Sequence, residues 1–335
     1  MEKEQFAQIN TTIAVKEKEM ISAQQFQKIL LNPNKETIIN LMQEKGYAIK
    51  FENFENLDLV EKALMSKLIV AYQWAFQESP SGEVVEVLAL PYLYHNLKVL
   101  LKEKASNQDL SKLLIPIGKV SLSHLEHLVR TLSSDVLPDH LVNEVAAIWQ
   151  EHLNYQDYRV LEVGCDLAYF KHLKRIAEQL DDQKIYQATS LIIQFYNLIT
   201  VKRAEALHKN QGFMKQLISD QGHLGLSTYL DLAEGKEVST WFNQLNPDVF
   251  SLQFKEAQTA LVNDKLTLPE LEKLVDQLLF SAFESGKYNA DGPYQLLRYL
   301  LGLEFEIKNF RLLISALVND LPIELVKERM RPIYE

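Results

Sequence analysis

The residues of this chain that could do chemistry are few, and each lacks a partner that its chemistry would need. His124 and His127 stand three apart, so on a helix both imidazoles share a face, as a metal pair requires. Zinc takes three or four ligands, and neither a His-Glu-x-x-His pattern nor paired cysteines supplies the others, so both read as solvated helix histidines. Asp181-Asp182 invites comparison with the aspartate-rich helix that holds magnesium in all-helical terpenoid enzymes. The third acid would fall at Ile185, and Lys184 puts a cation beside the pair, so a helix boundary is the simpler reading. Asp166 and Asp276 suggest an acid/base pair, but they occupy matching places in a repeat, so duplication alone explains both. The Gly-Lys pairs at Gly118, Gly235 and Gly286 lack a Gly five positions earlier and a following Ser or Thr, which removes the phosphate-cradling loop. There is no Gly-x-Ser-x-Gly nucleophile turn either. No catalytic residue, cofactor site or metal site is expected.

The elements that carry these residues are helices. Eleven Gly and ten Pro in 335 residues leave long uninterrupted stretches with leucine-rich periodicity, and the chain reads as all-α. Leu271, Leu274, Val275, Leu278, Leu279 and Ala282 fall on one stripe, with Glu272, Lys273 and Asp276 on the polar back. Thr267-Leu268-Pro269-Glu270 signs that helix's start, and Ser22-Ala23-Gln24-Gln25 is a second capping box. Asn32-Pro33-Asn34 and Ser79-Pro80-Ser81-Gly82 act as breakers, the latter between long helices near 59–77 and 85–104. Val85 to Leu90 alternates enough to suggest a strand, but its flanks fit one helical face. Further helices are expected over 137–156, 157–180, 183–208, 294–317 and 322–331, with Ser121 or Ser123 capping a short one.

Those helices recur in a frame. Asn96, Asn197 and Asn309 each precede a large apolar residue, at intervals of 101 and 112 residues. Upstream of each comes a Glu with a second marked residue four places on: Glu61 and Met65, Glu162 and Asp166, Glu272 and Asp276. That second residue lies 31, 31 and 33 positions before its Asn. Gly118-Lys119-Val120-Ser121 follows Asn96 by 22 residues, and Gly222-His223-Leu224-Gly225 follows Asn197 by 25. The spacing predicts three diverged helical units, 1–135, 136–245 and a C-terminally shortened 246–335, packed about a central axis as a funnel. Asn competes for backbone hydrogen bonds inside a helix, so its return suggests a bridge to a neighbouring segment, the alternative being three exposed polar positions. Lys98, Lys102, Lys202, Arg203 and Arg311 are candidates for a basic face toward an acidic partner, with ordinary solvated helix surface an equal reading.

Bulk properties narrow the partners. Forty-five acids against 35 bases give a net charge of −10, which argues against nucleic acid. The single Cys165 excludes an intramolecular disulfide and suggests a reducing compartment. The charged start Met1-Glu2-Lys3-Glu4 has no apolar core of a signal peptide. The apolar run from Ile185 to Val201 is too short and polar to span a bilayer unaided.

The phrases Tyr94-His95-Asn96-Leu97-Lys98-Val99-Leu100-Leu101-Lys102, Glu304 to Arg311, and Leu325-Val326-Lys327-Glu328-Arg329-Met330 resemble the C subunit of the prokaryotic V-type (A-type) rotary ATPases, related to the d subunit of the eukaryotic V-ATPase. The resemblance covers essentially the whole chain. It implies a non-catalytic central-stalk component that seats a rotating shaft, made of the D and F subunits, on the membrane rotor ring, coupling ATP turnover to proton or sodium transport. It implies a peripheral location on the cytoplasmic side of the plasma membrane, without a membrane span and without a cofactor. A helical scaffold or adaptor is the alternative, although repeats of 34 to 47 residues are not found. A magnesium-dependent terpenoid-type enzyme ranks below it because of Ile185.

Overall fold

The computed structural model describes residues 3–222, 224–236, 241, 259, 263, 267–288 and 291–334. His223 and the expected start of a third unit near Pro247 lie outside them. Among the described residues there is no strand, and the all-helical expectation holds.

The chain divides into two compact bodies, residues 1–80 with 231–335, and residues 81–230. The first opens with α1 (Ala7–Lys16), α2 (Ala23–Leu31), α3 (Lys35–Glu44) and α4 (Leu57–Glu78). The second holds α5 (Gly82–Ser106), α6 (Leu122–Thr131), α7 (Asp139–Tyr155), α8 (Tyr158–Leu180), α9 (Gln183–Ala206) and α10 (Gln211–Leu217). A short helix, α11 (Leu226–Ala233), runs across the division. The first body is completed by α12 (Leu268–Ala282), α13 (Tyr294–Val318) and α14 (Ile323–Arg329).

Local chemistry sets these boundaries. Ser22 and Gln25 form the expected capping box at α2, and Thr267 and Glu270 form that of α12. Asn34, Asn56, Ser121, Asp157, Asp182 and Asn210 each accept a hydrogen bond from an orphan amide at a helix start. Each such cap contributes about 1 kcal/mol. Asn107, Leu132, Gln156 and Asp181 take left-handed conformations that end α5 to α8.

Residues 85–90 are helical despite their alternation. They lie in α5, which runs through Pro91 and has thirteen buried residues, so burial decides their conformation. By length and composition α5 is also apolar enough to cross a bilayer, but 72% of that stretch is buried within the protein, which is the pattern of a core helix.

Within the second body α5 lies along α8, and within the first α13 packs on α4. In both cases an Asn-bearing helix rests on a helix bearing the Glu landmark assigned to a different expected unit. Of the expected unit boundaries, position 135 falls inside the second body, between α6 and α7, and position 245 is outside the described residues.

Candidate functional site

A side-chain amide carries a donor and an acceptor spaced like those of a peptide, so one buried Asn can pair with both the N–H and C=O of a single residue. Each of the three repeated Asn residues does so. Asn96, on α5, donates from Nδ2 to the Ile115 carbonyl at 2.7 Å and accepts from the Ile115 amide at 2.8 Å. Asn197, on α9, makes the same pair with Ser219 at 2.8 and 2.7 Å. Asn309, on α13, holds Arg331 at 3.2 and 2.7 Å. All three side chains are at most 1% exposed. The clamped residue follows its Asn by 19, 22 and 22 positions. Ser219 and Arg331 each lie just past a seven-residue helix, α10 and α14. Helix α14 stops short of the expected Arg331 because Asn309 takes that residue's backbone groups.

The landmark acids meet the basic side chains singled out with them. Lys98 pairs with Asp166 and Lys102 with Glu162, joining α5 to α8. Arg311 reaches from α13 to Glu61 on α4, with Nε to oxygen at 2.7 Å, and touches the Met65 sulfur at 3.0 Å. Asp276, expected on the polar back of α12, is 13% exposed and receives Lys308 at 3.0 Å and Arg331 at 2.6 Å. Lys98, Lys102 and Arg311 thus spend their charge inside their own body. Lys202 is half-buried and Arg203 exposed on α9, and Glu272 is exposed on α12.

Sequence reasoning missed two features of α13. Glu306 is 4% exposed, and its carboxylate accepts from the Tyr47 hydroxyl, from the Ile21 amide at 2.7 Å and from Lys67 at 3.4 Å. Burial pushes the Tyr47 phenol up, reinforced by Glu306, while burial draws the Lys67 ammonium down against the opposing pull of Glu306. One acid thereby ties α13 to the loops that follow α1 and α3. The second feature is the C-terminal tail. Beyond the Arg331 clamp, the Tyr334 ring lies against Gly302, where a Cβ would overlap it, and its hydroxyl meets Glu17. The Arg298 guanidinium stacks on that ring at 4.0 Å. The signal for Glu306 was an acid one turn before Asn309 on a face otherwise apolar; Tyr334 had none.

The candidates for chemistry resolve into structural roles. His124 and His127 lie exposed on α6. Asp181 terminates α8 in a left-handed conformation, and Asp182 caps α9 by accepting from the amides of Lys184 and Ile185. Asp166 and Asp276 each neutralise lysine or arginine and lie in different bodies. Burial pushes the Cys165 thiol up to about 12, so it is no nucleophile at neutral pH. Among the described residues no three His, Cys, Asp or Glu side chains converge as metal ligands. What this arrangement does well is hold helices and their following segments at fixed separations.

Two comparisons bear on the whole chain. The family model for the ATP synthase (C/AC39) subunit matches residues 9–329. The chain is also similar to the C subunit of the V-type sodium ATPase of Enterococcus hirae, with 28% identity over 332 residues that span 99% of each protein.

Proposed function

The chain belongs to the ATP synthase (C/AC39) subunit family, and on that premise we propose that it is the central-stalk coupling component of a V-type rotary ATPase. In this role it seats the shaft, made of the D and F subunits, on the membrane rotor ring from the cytoplasmic side, and passes torque between ATP turnover and proton or sodium movement. It hydrolyses no ATP itself and needs no metal. The observation that carries the reading is the full-length family match on a chain whose recurring polar groups are spent on internal clamps. A torque-bearing part must resist deformation, and close-packed helices joined by buried amide clamps and cross-helix ion pairs do so. Three such clamps at related spacings support the reading of three diverged units, with Asn96, Asn197 and Asn309, and the acids Glu61, Glu162, Glu272, Asp166 and Asp276, as equivalent structural positions. Among the basic candidates for partner contact, Arg203 is exposed on α9 and Lys202 half-buried beside it.

The test is assembly. With the chain present, the shaft and the rotor ring co-purify from detergent-solubilised membranes; without it, the shaft is expected to leave with the catalytic head. A shaft that stays on the ring in its absence would overturn the seating role. Magnesium-dependent ATP hydrolysis that follows the purified chain, and is abolished by Asp181→Asn with Asp182→Asn, would overturn the non-catalytic reading.

A further inference from the structure

Two imidazoles lie together in the second body, away from the clamps. His140, near the start of α7, and His172, on α8, have ring centroids 4.7 Å apart in an edge-to-face arrangement. The Tyr94 hydroxyl, from α5, lies 3.3 Å from His172 Nδ1. Tyr94 is 3% exposed, and His172 is its hydroxyl's hydrogen-bond partner among the described residues, so the phenol donates and Nδ1 accepts. That fixes the His172 hydrogen on Nε2. His140 Nε2 is enclosed with no hydrogen-bond partner. The other charged and titratable groups facing the cluster are Asp139 and Glu144 on α7, which favour a proton on His140, Arg175 on α8, which opposes a proton on either ring, and Cys165 and Tyr169 on α8, which face Tyr94.

We propose that the Tyr94–His140–His172 cluster is an acid-sensitive joint that holds α5, α7 and α8 together while both rings are neutral and loosens when a proton enters. A proton on His172 Nδ1 turns its bond to Tyr94 around and strands the buried phenolic hydrogen. A proton on His140 Nε2 finds no acceptor. Either cation also stands against the other ring and the Arg175 guanidinium. Burial, His140 and Arg175 draw the His172 imidazole down to about 4, and burial and Arg175 lower His140 against the opposing pull of Glu144 and Asp139. Because the folded value is depressed below the unfolded 6.5, the joint's contribution is complete above pH 6.5 and is lost as pH falls toward 4. For His172 alone, a fall from 6.5 to about 4 makes unfolding roughly 30-fold more favourable at pH 5 than at pH 8.

The experiment follows denaturant unfolding of the full chain from pH 8 to pH 5, for the unaltered protein, His172→Asn and His124→Asn. Asn at 172 keeps an acceptor for Tyr94 but cannot titrate. The expected result is that His172→Asn removes most of the roughly 30-fold pH dependence, while His124→Asn, altering an exposed ring, leaves it in place. Equal pH dependence in all three proteins overturns the proposal. Should His172→Asn fail to fold, imidazole proton resonances of the unaltered chain decide: a His172 midpoint below about 5 upholds the joint, and one near the ordinary value of about 6.5 overturns it.

Discussion

Replacing Asn197 by Ala isolates the most deeply buried of the three clamps. Asn197 is 0% and Ser219 1% exposed, so the substitution leaves an amide and a carbonyl unpaired in a dry site. An unsatisfied buried polar group costs about 1–3 kcal/mol, which for the two groups puts the expected loss at about 2–6 kcal/mol. Asn197→Asp should be at least as harmful: it keeps the acceptor but turns a charged oxygen toward the Ser219 carbonyl. Ile115 and the clamped Arg331 are half-buried, so water can reach their backbone groups, and Asn96→Ala and Asn309→Ala should cost less, about 1–2 kcal/mol each. The assay is guanidinium unfolding of each variant beside hydrogen exchange of the Ser219 amide, which should accelerate in Asn197→Ala. A stability change below about 0.5 kcal/mol with unaltered exchange would refute the clamp reasoning.

Asp276→Asn should destabilise the first body by about 2–4 kcal/mol, because Asp276 and Arg331 are only 13% and 17% exposed. Glu61→Gln, which breaks the far more exposed pair with Arg311, should cost less than about 1 kcal/mol, and a reversed order in urea melts would contradict this ranking. Gly302→Ala places a methyl group on the Tyr334 ring, so the tail must leave its seat; carboxypeptidase should trim this variant faster than the unaltered chain, and equal rates would speak against a seated tail. Cys165 should resist thiol reagents in the folded protein at mildly alkaline pH and react fully in denaturant, whereas rapid labelling of the folded chain would show the site is open.

Much of the fold was legible because helices announce themselves locally. The capping boxes at Ser22 and Thr267, the breakers at Pro33 and Pro80, and the stripe from Leu271 to Leu279 are set within a few residues of chain. Apart from the exposed Glu272, the frame of Asn and acid landmarks pointed to residues that make buried or cross-helix contacts, and the resemblance to the V-type ATPase C subunit holds over nearly the full length. What escaped was long-range choice. Nothing near Asp276 signals that Arg331 will fold back onto it, and nothing near Lys98 signals that Asp166 lies across from it. Their charges read as solvated surface because a helix's polar back looks alike whether water or another helix covers it. Glu306 shows the same limit: its partners Tyr47 and Ile21 are 259 and 285 residues away in sequence.

The measurement that bears most directly on the coupling role is ion uptake and ATP hydrolysis in the same membrane vesicles, made with the complete complex and with the complex lacking this chain. A component that seats the shaft on the ring predicts that hydrolysis by the detached head continues while ATP-driven ion uptake disappears, and that adding back the purified chain restores uptake. Uptake that stays coupled to hydrolysis without the chain would contradict the coupling role.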